Sequence, residues 1–162
     1  MESLFFNLKD LLRELNNELN KMLQATEQHN QALRANDLDA IKEILKELAL
    51  VSRQIKILDA QRETVQTALE EGLKLPKGTT LTRTIAHAPQ HLVQDLNRAA
   101  ESLREITATI QNLVEINAIL TKQAMNFNEV LLKTIKPIKS TYNPTGQTTD
   151  NTPATSILNK TI

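Results

Sequence analysis

Over most of the chain, apolar residues recur three and four positions apart, and this spacing constrains the fold more than any other feature. Such a pattern lays one apolar seam along a helix and demands a second helix to cover it. The first seam runs Phe5, Leu8, Leu12, Leu15, Leu19, Met22, Thr26, His29, Leu33. Ser3 reads as its N-cap, with a hydroxyl that accepts from a free amide of the first turn. The pattern weakens at Asn36-Asp37, a pair suited to ending one helix and capping the next. The spacing therefore predicts a helix over about 3–34.

A second seam follows through Ile41, Ile44, Leu48, Val51, Ile55, Leu58, Arg62, Val65 and Leu69, widened by Leu38 and Leu45. Arg62 interrupts it, and its long stem can lie on apolar surface with the guanidinium in water. Gly72 is the residue expected to take the left-handed conformation that ends a helix. The second helix is placed at about 37–71, antiparallel to the first because the link is so short. Residues 72–88 hold Pro76, Gly78 and four threonines, and read as a connector with one helical turn around Leu81–Ile85. Pro89 fits the opening turn of a third helix. Its seam runs Leu92, Leu96, Ala99, Leu103, Ile106, Ile110, Leu113, Asn117, Leu120, Ala124, Phe127, Leu131, Thr134, Ile138, which predicts a helix over 89–137. The last segment, 140–162, is rich in Thr, Asn and Pro, and reads as a disordered, flexible tail. It carries a turn-like Tyr142-Asn143-Pro144-Thr145-Gly146 and a small apolar pair, Ile157-Leu158.

The fold class expected is all-α: an up-down-up antiparallel bundle of three long helices with coiled-coil-like packing over 1–139, followed by the tail. A chain of 162 residues suits one such domain. Three Gly and five Pro are too few for a strand-and-turn protein of this length. The third helix exceeds the other two, so its last turns overshoot the first turn of the bundle. That end carries Phe127, Val130, Leu131 and Ile135, an apolar stripe of the kind that marks a contact surface. The alternative is a third helix that bends or breaks and folds back, or a connector that shifts its register. Asn117 is the one amide on the third seam. It either sets register, as a buried Asn does in coiled coils, or is a partly solvated seam position.

Several chemistries find no support in the residues. There is no cysteine, which removes disulfides, thiolate metal sites and cysteine nucleophiles. His87 and His91 have the spacing of a helical metal pair, but Pro89 lies between them at a helix start. Serines lack a nucleophile-elbow context, and three scattered glycines build no phosphate cradle. No cofactor, no metal and no enzyme activity are expected. Lys+Arg and Asp+Glu both number 19, so a nucleic-acid surface is not expected either. Residues 1–72 carry 9 basic and 13 acidic groups, and residues 73–139 carry 9 and 5, an imbalance that favours packing of the two segments on each other. With no apolar run near the 18–20 residues of a span and no signal-like N-terminus, the chain reads as soluble and intracellular.

Three stretches then point to a family. They are the step Gln31-Ala32-Leu33-Arg34-Ala35-Asn36-Asp37-Leu38-Asp39-Ala40-Ile41, the run Leu113-Val114-Glu115-Ile116-Asn117-Ala118-Ile119-Leu120, and Tyr142-Asn143-Pro144-Thr145-Gly146-Gln147. In this order and at these spacings the chain resembles the FlgN family of flagellar type III export chaperones. The resemblance covers about 4–147. It implies a cytoplasmic helical protein that binds hook-associated, or hook-filament junction, proteins, prevents their premature assembly, and delivers them to the flagellar export gate. It implies that Asn117 and its seam neighbours are core or partner-facing positions of the long third helix, that the end of this helix and the segment after it bind the client, with Asn117, Leu120, Ala124, Phe127, Val130, Leu131 and Ile135 as candidates, and that Tyr142 contacts the export gate. Tyr142 has a second reading, as a turn residue packing back on the third helix. The competing class is a structural coiled-coil protein that forms a homodimer through the end of that helix.

Overall fold

The computed structural model describes residues 1–135. Among these it is all-helical, with α1 (Glu2–Ala35), α2 (Leu38–Leu73), α3 (Leu81–Ile85) and α4 (Gln90–Ile135). The chain divides into two compact units, Met1–Gln123 and Ala124–Ile162. The boundary expected at 139–140, the end of the third helix near 137, and the tail all lie outside the described residues.

In the first unit, α1 and α2 form a helical hairpin. Met1 lies against Gly72, and residues 14–21 of α1 border Gln54 and Leu58 of α2. The turn between them is tight because both of its residues have a fixed task. Asn36 adopts the left-handed conformation at φ 53 and donates its N–H to the Leu33 carbonyl, while the Asp37 N–H donates to the Ala32 carbonyl. These two bonds satisfy carbonyls that a helix end otherwise leaves free. Asp37 then caps α2, its carboxylate accepting from the Ala40 N–H at 3.0 Å.

Four details differ from the sequence reading. Ser3 lies inside α1, which begins at Glu2 without a side-chain cap. Gly72 is helical. The left-handed residue that ends α2 is Lys74, at φ 56, with the Leu75 N–H donating to the Glu70 carbonyl at 2.8 Å. The helix outruns its glycine because Leu73 still packs on the core. Leu38 and Leu45 do not widen the buried stripe, since both are exposed. Arg62 is not simply in water: its side chain is mostly covered, its Nε donates to Asp59 and its Nη1 to Gln66, both at 2.7 Å.

The apolar core gathers where α1 begins and α2 ends. Phe5, Leu8 and Leu12 of α1 pack with Leu69 of α2, Ile85 of α3, and Leu92 and Leu96 of α4. Each large side chain buried this fully contributes roughly 1.5–3 kcal/mol. The short α3 thus earns its place by inserting Ile85. The connector is tied down by Glu70, a buried carboxylate that accepts from the Gly78 N–H at 3.1 Å. Gly78 needs its glycine, with φ at 77. Further along the unit full burial becomes sparse, and Ile41, Ile44, Leu48, Ile106 and Leu113 are only half-buried.

Between α1 and α4 the contacts advance together along both sequences. Lys9 pairs with Asp95 at 3.1 Å, Asn16 donates to the Ala99 carbonyl at 3.0 Å, and Asn30 donates to Asn117 at 2.7 Å.

Candidate functional site

The seven residues expected to form a client surface fall into three environments. Asn117 is buried, at 4% exposure. Leu120 and Ala124 are half-buried. Phe127 (63%), Val130, Leu131 (39%) and Ile135 are exposed. Asn117 therefore packs inside the first unit, and the open apolar surface begins later in the helix. Tyr142 lies outside the described residues.

The surroundings of Asn117 explain its burial. An amide removed from water needs partners on both its oxygen and its nitrogen. The Asn117 oxygen accepts from Asn30 Nδ2 at 2.7 Å. Its nitrogen donates to the Thr26 carbonyl at 3.1 Å and points at His29 Nδ1, 3.4 Å away. Arg34 Nε in turn donates to the Asn30 oxygen at 2.8 Å. Burial holds the His29 imidazole below its ordinary pKa, so the ring is neutral and its Nδ1 is free to accept. Thr26 and His29, which weaken the apolar seam of α1, thus belong with Asn117. Only the presence of polar residues on two seams signalled this cluster.

In the second unit, Ala124–Ile135 is helical, and Met125, Phe127, Val130, Leu131, Leu132 and Ile135 are all exposed. Met125 and Leu132 extend the exposed apolar surface beyond Phe127, Val130, Leu131 and Ile135. Glu129 and Lys133 form an ion pair at 2.7 Å, which holds the Glu129 carboxyl below its usual range. Six large apolar side chains within eleven positions exceed what a solvated helix face normally carries.

Other candidates have ordinary roles. His87 Nδ1 lies 3.0 Å from the Arg83 carbonyl, and His91 lies 3.5 Å from Glu2. Phe5 is core, while Phe6 is partly exposed beside the His91 ring at 6.0 Å between centroids. Among the described residues no group of His, Cys, Asp and Glu could hold a metal ion, and no helix is long and apolar enough to cross a membrane.

Fold and site define a helical bundle with an apolar helix surface open to solvent. The FlgN protein family model matches residues 1–150, and the chain belongs to that family. The family is one of chaperones for flagellum biogenesis and export. Neither the comparison with curated proteins nor that with solved structures gave a match.

Proposed function

We propose that the chain is a flagellar export chaperone that binds hook-filament junction proteins stoichiometrically and hands them to the export gate. The observation that carries this reading is the exposed stripe of Phe127, Val130, Leu131 and Ile135 on α4. An amphipathic helix or terminal segment of a junction protein would lay its apolar face on that stripe, with Ala124 at its margin. Covering such a segment blocks the coiled-coil contacts through which it would otherwise polymerise. A client that orders only on binding gives up part of the contact energy, which keeps release feasible. Asn117 contributes here as a packing residue. Tyr142, an aromatic with a polar tip, is the proposed contact with the gate.

The proposed architecture of residues 1–123 is up-down-up, with α1 and α4 parallel and α2 antiparallel to both. In its support, the α1–α4 contacts advance together, while Leu69 clusters with Leu92 and Leu96, and Asp59 borders the same groove as Leu103 and Thr107.

The test is Leu131→Asp in the full chain. Binding of a purified junction protein should be lost while helicity by circular dichroism stays unchanged. Undiminished binding overturns the assignment. Light scattering at micromolar concentration separates this reading from the structural one, for which a concentration-independent dimer is required.

A further inference from the structure

The apolar side chains at the end of α4 are not confined to one face. At 3.6 residues per turn, Met125, Leu132, Ile135, Leu131, Phe127 and Val130 follow one another in that order around an arc of about 220°. All six are exposed. Inside this arc the polar residues are Asn128 and Thr134, and the Thr134 hydroxyl is turned back onto the Val130 carbonyl at 2.8 Å. Asn126, Glu129 and Lys133 share the remaining arc of about 140°. There Glu129 and Lys133 pair at 2.7 Å.

A helix that meets one partner needs an apolar stripe of roughly 100°, and a helix apolar on most sides is one that its neighbours enclose. The first unit supplies the scale. There α1 packs against both α2 and α4, through Leu69 on one and Leu92 and Leu96 on the other. Its buried positions, from Phe5 at one edge to Ala32 at the other, span about 180°. In α2 the buried apolar residues Val51, Leu58 and Leu69 fall within about 20°. The end of α4 has the arc of a helix with two neighbours.

We infer that the client supplies two helical segments, not one, and that they enclose the end of α4 as the other two members of a three-helix assembly. One segment lies on the flank of Met125 and Leu132, and the other on the flank of Phe127 and Val130. Both meet Leu131 and Ile135 between them, and the arc of Glu129 and Lys133 stays in water. This rests on the client-binding reading and adds that a single amphipathic helix is an incomplete client. A second copy of the chain is the poorer occupant. Laid on one flank it would cover four of the six side chains, which at roughly 100 Å² each supply about half of the roughly 800 Å² per partner that a stable interface buries. The other flank would stay in water.

Two paired substitutions at exposed positions separate the flanks in the full chain: Met125→Ala/Leu132→Ala and Phe127→Ala/Val130→Ala. Alanine keeps the helix and removes the apolar surface. Affinity for a purified full-length hook-filament junction protein should fall at least tenfold in each, with circular dichroism unchanged. If one pair binds within twofold of wild type while the other is weakened, one helix suffices; the inference is overturned and the client reading stands. Undiminished binding by both pairs overturns it too, and if Leu131→Asp also binds undiminished the client reading falls with it. Tighter binding by one pair overturns the inference by showing that residues 136–162 of this chain cover that flank. Light scattering on the chain without client should give a monomer; an oligomer that either pair dissociates would place a second copy there and overturn the inference.

Discussion

Met1 and Gly72 meet so closely that a Cβ placed on the glycine would lie 2.6 Å from the methionine sulfur. The contact couples the start of α1 to the last turn of α2, yet one partner is the end of a flexible, half-exposed side chain. Gly72→Ala should therefore displace Met1 at little cost and gain up to about 1 kcal/mol of helix propensity. Thermal melting should show a rise. Gly78→Ala should do the opposite, losing about 1 kcal/mol, because its φ of 77 is strained for any residue with a Cβ.

Lys74 closes α2 in the left-handed conformation that glycine adopts freely. Lys74→Gly should raise the denaturation midpoint by the equivalent of up to about 1 kcal/mol, the left-handed penalty less the added flexibility of the unfolded chain.

Asp37 accepts from the Ala40 N–H at the start of α2. Asp37→Ala should cost about 1 kcal/mol in urea unfolding. An undiminished midpoint would show that the Asn36 turn alone sets the hairpin.

His29 gives the protein a specific pH response. Its folded pKa lies below the ordinary imidazole value because burial disfavours the cation. The unfolded chain takes up the proton first as pH falls, so the contribution of His29 is fully present above roughly pH 6.5 and is lost as pH drops through the lower folded value. Protonation also turns Nδ1 into a donor facing the Asn117 amide nitrogen. Melting temperatures compared between pH 7.5 and 5.5 should fall less in His29→Gln than in the wild type.

Much of the fold was legible because the seams are local. The three- and four-residue spacing located α1, α2 and the start of α4 to within a few residues, and Asn36-Asp37 marked the hairpin turn by the chemistry of two adjacent side chains. The errors have local causes too. Gly72 reads as a terminator, but tertiary packing of Leu73 carries α2 past it to Lys74. Leu38 and Leu45 satisfy the helical period and still face solvent, because a periodic residue is buried only where a neighbouring helix covers it. The partners of Asn117 could not be read at all: Asn30 lies 87 residues away, and no spacing rule joins them. The stripe at Phe127–Ile135 was legible as a pattern, whereas the exposed Met125 and Leu132 beside it fall off the seam, where spacing marks nothing.

The most direct test of the account is co-purification from a flagellated host with the tagged full-length chain, beside the same chain carrying Leu131→Asp. The account predicts that hook-filament junction proteins accompany the first and are missing from the second. Absence of every flagellar component from the full-length chain, or equal recovery with both, would contradict it.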